Sequence, residues 1–249
     1  MISCECNRDA CPETLPDRRA EEYTNRFEGV PAIGSAVLTQ IVTPAISIVI
    51  LNGGRSRRMG MNKSQVVLDP DDSLSLIERI LHVVSSLSDD VLIVGGGNGA
   101  SIGNTRHVED AYPGQGPLGG LVTGMGAMRY GRCLLLACDM PFVNIELVRL
   151  MAALGAEDVV AQTRESRIEP FHAIYHRRCL PRAVALLAEG ERSMERFLLA
   201  IDRRLVPETI IDAIDPKGWS LLNINTPADL LVARIHASEL RVAADGTSA

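Results

Sequence analysis

The chain has 249 residues, enough for one α/β domain with an appendage, and its 46% hydrophobic, 22% charged and 4% aromatic composition is typical of a globular protein with an aliphatic core. The formal net charge is −6 and no long basic run is present, which argues against a nucleic-acid partner. No apolar run is long enough to cross a bilayer and the N-terminus lacks the apolar segment of a secretory signal, so we expect a cytoplasmic protein without a membrane partner.

Residues 1–44 differ in character from the rest of the chain. They are rich in proline and charged residues and show no sustained hydrophobic period, so we predict an N-terminal extension that is partly disordered. Its Cys4, Cys6 and Cys11 are fewer than the four ligands of a structural zinc site, and we assign them no metal. The folded domain is predicted over residues 45–240, with a C-terminal tail over 241–249.

From residue 45 onward, strand patterns alternate with helix patterns. Short apolar runs predict strands over residues 45–51, 90–96, 105–110, 132–139, 157–164 and 169–176. Apolar residues at helical spacing predict helices over residues 74–87, 118–131, 145–154, 179–190, 193–201 and 225–240. Thr226 is a suitable N-cap for the last helix. The alternation predicts α/β architecture: a mainly parallel, Rossmann-like sheet with helices on both faces, in a single domain.

The ends of the predicted strands supply the candidate site residues, because ligands of such sheets bind beyond the carboxyl ends of the strands. The residues at or just beyond the carboxyl ends of the first four predicted strands are Asn52, Gly53 and Gly54, then Gly95, Gly96 and Gly97, then Glu109 and Asp110, and finally Asp139. If these strands are parallel, all of these residues meet at one edge of the sheet.

The loop after the first strand, within LNGGRSRRMGMNK (51–63), has the chemistry of a phosphate-binding loop. Its glycines let the backbone approach a ligand, and free N–H groups in such a loop bind anions. Arg55, Arg57, Arg58 and Lys63 add positive charge. The spacing matches neither the Walker A loop nor the dinucleotide-binding glycine pattern.

A phosphate site also needs a hard cation, usually Mg²⁺ held by one or two carboxylates. Asp139 follows a strongly apolar strand and is our candidate metal ligand. For Asp110, a ligand-binding role and simple capping of the next helix remain equally open.

Five sequence blocks together resemble the MobA-like nucleotidyltransferases. In chain order they are LNGGRSRRMGMNK (51–63), VEDAYPGQGPLGGL (108–121), LLACDMPF (135–142), GERSMERFL (190–198) and NINTPADL (223–230). The resemblance implies transfer of GMP from GTP to molybdopterin bearing molybdenum, with Mg²⁺ as cofactor and pyrophosphate as product. It also implies cofactor-delivery or molybdoenzyme-maturation proteins as further partners.

The resemblance implies a role for particular residues. The nucleotide is lined by Leu51, Asn52, Gly53 and Gly54, and Asp110 lies near it. The triphosphate is held by Arg58 and Lys63, which act in catalysis together with Asp139. Asp139 also ligates Mg²⁺. The pterin side is formed by Arg192, Asn223 and Asn225, for which loop capping is an equal alternative. Asn52 departs from the family pattern, which usually has alanine there, and Asn98 is the counterpart of an asparagine that often contacts the nucleotide.

Two other functions remain open at this point. The first is that of a related nucleotidyltransferase that uses CTP or a sugar-phosphate acceptor. The second is that of a catalytically inactive protein that binds a nucleotide and acts as a regulator. The Gly-Gly pair at 53–54 and the GPLGG block resemble the guanylyl-transferring members of the family, since cytidylyl-transferring members typically have Ala-Gly in the first loop. The presence of Lys63 and Asp139 argues against an inactive protein.

Overall fold

The computed structural model describes residues 45–52, 66–68, 73–96, 103–154, 157–164 and 167–246. The strands are β1 (Ser47–Leu51), β2 (Val91–Val94), β3 (Arg106–Val108), β4 (Arg132–Ala137), β5 (Val159–Arg164), β6 (Arg167–Ile168), β7 (Ala173–His176) and β8 (Arg203–Val206). The α-helices are α1 (Leu76–Val84), α2 (Gly116–Ala127), α3 (Ile145–Leu154), α4 (Leu180–Ala188), α5 (Met194–Leu199), α6 (Glu208–Ile214) and α7 (Pro227–Gly246), with 3₁₀ turns at Arg177–Cys179 and Trp219–Leu221.

The strands form one mixed sheet in the order β3-β2-β1-β4-β7-β5-β6, and β8 pairs with β5. The four strands β3, β2, β1 and β4 are mutually parallel, as are β5 and β8, whereas β7 runs antiparallel to both of its neighbours. The predicted α/β class, with a mainly parallel sheet in a single domain, is therefore confirmed. The direction of β7 could not be predicted, because hydrophobic pattern carries no information on strand direction.

Helices cover both faces of the sheet, as predicted, because successive side chains of a strand point to opposite faces. Val49 and Leu51 of β1 belong to a core cluster that includes residues of α2, α4 and α5. Ile48 and Ile50 of the same strand belong to a second cluster with residues of α1, α3 and α6. All four side chains are at most 9% exposed, so β1 lies at the centre of the three layers.

Helix α2 packs unusually close to β1 because glycines face the strand. A Cβ atom added at Gly124 would lie 2.4 Å from Cγ1 of Val49, and one added at Gly120 would lie 2.9 Å from Cδ2 of Leu51. These contacts also show that α2 runs antiparallel to β1, so its N-terminus lies at the carboxyl edge of the sheet. The absence of side chains at these two positions thus sets the distance between α2 and the end of β1.

We expect Gly124→Ala to destabilise the protein by about 1–3 kcal/mol, although alanine is the better helix former, because the new methyl group overpacks against a buried β-branched side chain. Gly126→Ala in the same helix is the matched control: nothing lies within 4 Å of its added Cβ, so it should be neutral or stabilise by up to about 1 kcal/mol. Chemical denaturation of both variants measures the difference. Equal stabilities for the two variants would contradict the close packing.

A third, smaller core attaches the last helix to the sheet. It contains Phe142 beyond β4, Ile224 before α7, and Ala233 and Ala237 on α7, together with Val66, Leu68 and Leu76. At its centre His236 stacks on Trp219 with ring centroids 3.9 Å apart, and Phe142 meets His236 edge-on at 4.8 Å. We call this group the C-terminal core.

The N-cap predicted at Thr226 is confirmed. Its Oγ1 accepts a hydrogen bond of 3.2 Å from the Asp229 N–H, and Oδ2 of Asp229 accepts from the Thr226 N–H at 2.7 Å. Helix α7 extends to Gly246, six residues past the predicted end of the domain at 240. Among the described residues, no helix is long and apolar enough to cross a membrane.

Candidate active site

The carboxyl ends of the four parallel strands meet at one edge of the sheet and are joined by backbone hydrogen bonds. The N–H of Asn52 donates to Val94 O at 2.9 Å, and the N–H of Gly95 donates to Val108 O at 3.0 Å. The N–H of Cys138 donates to Leu51 O at 3.1 Å. The bonds connect β1 to both neighbours and β2 to β3 just past the strand ends. The predicted convergence of strand ends is therefore a feature of the structure.

The residues at the end of β1 are tightly enclosed by glycines. Leu51 is 9% exposed and lies against Gly120 of α2. Asn52 lies over Gly96, where an added Cβ atom would be 2.3 Å from Nδ2 and 2.4 Å from O of Asn52. Gly96 has a φ of +75°, which also favours glycine. Only glycine at 96 leaves room for the amide that departs from the family pattern.

Asp110 is fixed by local hydrogen bonds. Its Oδ1 accepts from the N–H of Tyr112 at 3.0 Å and from Oγ1 of Thr123 at 3.0 Å. Thr123 belongs to α2, so Asp110 ties the turn after β3 to that helix. Asp110 does not cap the next helix, as the alternative to ligand binding predicted, because the N-cap residue of α2 is Gln115. Its role near the nucleotide stays a prediction.

Asp139 lies two residues beyond the end of β4, half-buried, in a turn closed by the bond from Met140 N–H to Ala137 O. Its backbone carbonyl accepts a hydrogen bond of 2.9 Å from the Ile224 N–H. Its carboxylate faces the side-chain amide of Asn223, whose Nδ2 is assigned to this side because carboxylate oxygens only accept. This nitrogen lies 3.0 Å from Oδ1 and 2.9 Å from Oδ2 of Asp139.

The three residues predicted for the pterin side occupy two places. Asn223 lies beside Asp139, and its side-chain nitrogen is 3.3 Å from Nδ2 of Asn225. Arg192 lies elsewhere, at the N-terminus of α2, where its Nε donates to Oε1 of Gln115 at 2.6 Å. The contact of Asn223 with Asp139 was not predicted, since nothing in the sequence signals a pairing over such a separation.

The remaining predicted site residues lie outside the described residues. They are Gly53, Gly54, Arg58 and Lys63 of the loop after β1, and Asn98 after β2. Their predicted roles in nucleotide binding and catalysis stay predictions. The described residues on either side of that loop are Asn52, at the carboxyl edge of the sheet, and Val66, in the C-terminal core.

The donors around Asp139 suit a hard cation. Within the described part of the chain, no three His, Cys, Asp or Glu side chains converge as a complete metal site would require. Mg²⁺ does not need such a site, because one or two carboxylates suffice when phosphates and water complete its coordination. The Asp139 carboxylate, with the Asn223 amide beside it, therefore fits Mg²⁺ bound together with a polyphosphate.

A carboxylate after a central strand, glycines at neighbouring strand ends and a helix N-terminus at one edge define an α/β nucleotide-binding protein. The family model described as "MobA-like NTP transferase domain" matches residues 48–208. The chain belongs to the MobA-like NTP transferase family, and is accordingly a nucleotidyltransferase.

Curated relatives cover most of the chain. It is 32% identical over 196 residues to a probable molybdenum cofactor guanylyltransferase of Pelotomaculum thermopropionicum, which covers 78% of this chain and 94% of the relative. It is 33% identical over 195 residues to the molybdenum cofactor guanylyltransferase of Pseudomonas entomophila, and the aligned region covers 76% of this chain and 97% of the relative. In fold it resembles molybdopterin-guanine dinucleotide biosynthesis protein A of Archaeoglobus fulgidus, with a TM-score of 0.66, 24% identity, and coverage of 78% and 100%.

Proposed function

We propose that this protein transfers GMP from GTP to the molybdenum-bearing molybdopterin cofactor, forming its guanine dinucleotide and releasing pyrophosphate. The observation that carries the proposal is the carboxylate of Asp139, held at the carboxyl edge of the sheet next to the end of β1. The names of the relatives with about a third identical residues support the same reaction.

In this proposal, different residues bind the base and the phosphates of the nucleotide. The backbone at Leu51 and Asn52, enclosed by Gly96 and Gly120, offers a narrow surface for the base. The N-terminus of α2 brings the positive end of a helix dipole to the same edge, which favours an anionic ligand. In this proposal Arg58, Lys63, Gly53 and Gly54 complete the phosphate side.

Asp139 would hold Mg²⁺, which supplies charge neutralisation between the phosphates when bound. The acceptor is itself a phosphate and already anionic, so the reaction needs no general base. The protein must bring two negative groups into line, and positioning and electrostatic stabilisation therefore dominate. For the acceptor side we assign Arg192, at the N-terminus of α2, and Asn225, whose Nδ2 lies 3.3 Å from the side-chain nitrogen of Asn223.

The reaction is tested directly by incubating the protein with GTP, Mg²⁺ and molybdenum-bearing molybdopterin. We expect the guanine dinucleotide and pyrophosphate in equal amounts, identified by mass spectrometry, and no pyrophosphate when the acceptor is omitted. Pyrophosphate release with a sugar phosphate instead of molybdopterin would refute the acceptor assignment.

We also expect GTP to bind at least about tenfold more tightly than CTP, because a site built to hydrogen-bond one base leaves its polar groups unpaired with another. Calorimetric titration with both nucleotides in the presence of Mg²⁺ measures the ratio, and ATP serves as a purine control. Equal or tighter binding of CTP would overturn the guanylyl assignment and direct attention to Asn52, the residue that departs from the family pattern.

A further inference from the structure

The turn that carries Asp139 is held by a segment from the far end of the chain. Ile224 is fully buried in the C-terminal core, and its N–H donates to the Asp139 carbonyl at 2.9 Å. Phe142, three residues after Asp139, is buried in the same core. The backbone of Asp139 is therefore anchored from both sides.

The Asp139 side chain is fixed by the same segment. Nδ2 of Asn223 lies 2.9 and 3.0 Å from the two carboxylate oxygens, so a single amide group contacts both. Hydrogen bonds to a carboxylate are about twice as strong as those between neutral groups. Such a contact restricts rotation of the carboxylate.

Asn223 is in turn placed by the start of α7. The N–H groups of Asn225 and Thr226 both donate to Oδ2 of Asp229, at 2.9 and 2.7 Å. This cap fixes the backbone directly after Ile224. The cap at the start of the last helix, and not the strand before Asp139, therefore determines where the Asn223 amide lies.

We propose that Asn223 is a positioning residue that acts through Asp139, holding its carboxylate in the orientation that a divalent cation and the nucleotide phosphates require. This rests on the proposed function, and it departs from the expectation that Asn223 belongs to the pterin side. Partners of metal-binding carboxylates typically change metal affinity or activity by about 10–100-fold when replaced.

The test measures how much a divalent cation tightens GTP binding, with Mn²⁺ as the probe. GTP is titrated calorimetrically into each variant in EDTA and in Mn²⁺, and the ratio of the two dissociation constants is the coupling between metal and nucleotide. We expect Asn223→Ala to lower this ratio about tenfold without changing GTP affinity in EDTA. Asn223 is exposed, so the variant should lose no more than the about 2–4 °C in melting temperature that its hydrogen bond with Asp139 contributes. Asn104→Ala, an exposed asparagine before β3, is the matched control and should behave as the unaltered protein.

The same measurement in Asp139→Asn separates action through Asp139 from an independent effect. If Asn223 acts through Asp139, adding Asn223→Ala to Asp139→Asn should change the ratio by less than about twofold. A full, additive loss in that background would overturn the proposal.

Kinetics with the acceptor distinguish the alternative role. A positioning residue should lower kcat at saturating acceptor and leave the acceptor KM within about twofold, since the lost interaction is not with the acceptor. A raised acceptor KM with unchanged Mn²⁺ coupling would make Asn223 a pterin contact and refute the proposal. If the unaltered protein itself shows neither Mn²⁺ coupling nor transfer, the proposed function is refuted, and the proposal for Asn223 is refuted with it.

Discussion

Replacing Asp139 by asparagine is expected to lower turnover at least about a hundredfold while GTP still binds. The substitution keeps the shape of the side chain and removes its charge, so the α-phosphate would lose the cation that Asp139 holds. Losing such an interaction in the transition state costs several kcal/mol, and each 1.36 kcal/mol corresponds to about tenfold in rate. Turnover and calorimetric GTP affinity are measured on the same preparation.

Stability separates this role from a structural one. Asp139→Asn weakens a charge-assisted hydrogen bond with Asn223, worth about 1 kcal/mol, so the melting temperature should fall by only about 2–4 °C. Asp212→Asn on α6 is the matched control, because its carboxylate is 58% exposed and makes a 3.6 Å ion pair with Arg164 at the protein surface. Near-normal turnover in Asp139→Asn removes Asp139 from the metal site. Lost turnover together with a collapsed melting temperature makes its role structural.

The free energy of unfolding is expected to fall by about 3 kcal/mol between pH 6.5 and pH 4 because of one buried imidazole. His172 is fully buried, and burial lowers its pKa from 6.5 to about 4, with the charge of Asp215 opposing the shift only in part. Its Nε2 accepts a hydrogen bond of 3.3 Å from the Asn144 N–H, which requires the unprotonated nitrogen.

The sign of the effect follows from the direction of the shift. The unfolded chain binds a proton at His172 below about pH 6.5, whereas the folded protein resists it down to about pH 4. Stability from the neutral imidazole is therefore complete above pH 6.5 and is lost progressively as the pH falls.

His172→Asn isolates this contribution, because asparagine tolerates the positive φ of 54° at this position and has no titratable group in the range. Urea unfolding at several pH values should show a shallower pH dependence for the variant, by up to about 1.4 kcal/mol per pH unit. The lowered pKa values of His176 and His236 remain in both proteins and cancel in the comparison. Identical slopes would show that His172 takes up its proton without opposing the fold.

The edge of the sheet could be predicted from the sequence, because apolar runs such as 46–51 and 132–137 mark buried strands and the residues after them must lie together. Strand β8 and helix α6 were not predicted. In β8, Arg203 and Arg204 interrupt the apolar pattern. Arg204 is only 14% exposed there because Glu157 pairs with it, and a buried ion pair of this kind has no signature in local sequence.

The contacts of Asp139 could not be predicted from the local sequence pattern for a similar reason. The position of Asp139 follows from the strand before it, whereas its contact with Asn223 depends on how the C-terminal core brings two distant segments together. Hydrophobic period predicts which residues are buried but not which segments share a cluster. Likewise, Gly96 could be predicted at the edge, but its close contact with Asn52 could not.

The C-terminal core has a consequence for how the protein loses activity. Counted over the described residues, it is much smaller than the two clusters that flank the sheet, and it joins α7 to the turn of Asp139 through Phe142 and Ile224. Small clusters open in local excursions well below the free energy of global unfolding. Detachment of the last helix would release the Asp139 turn while the central strands stay hydrogen-bonded, so we expect the protein to pass through a folded but inactive form before it melts.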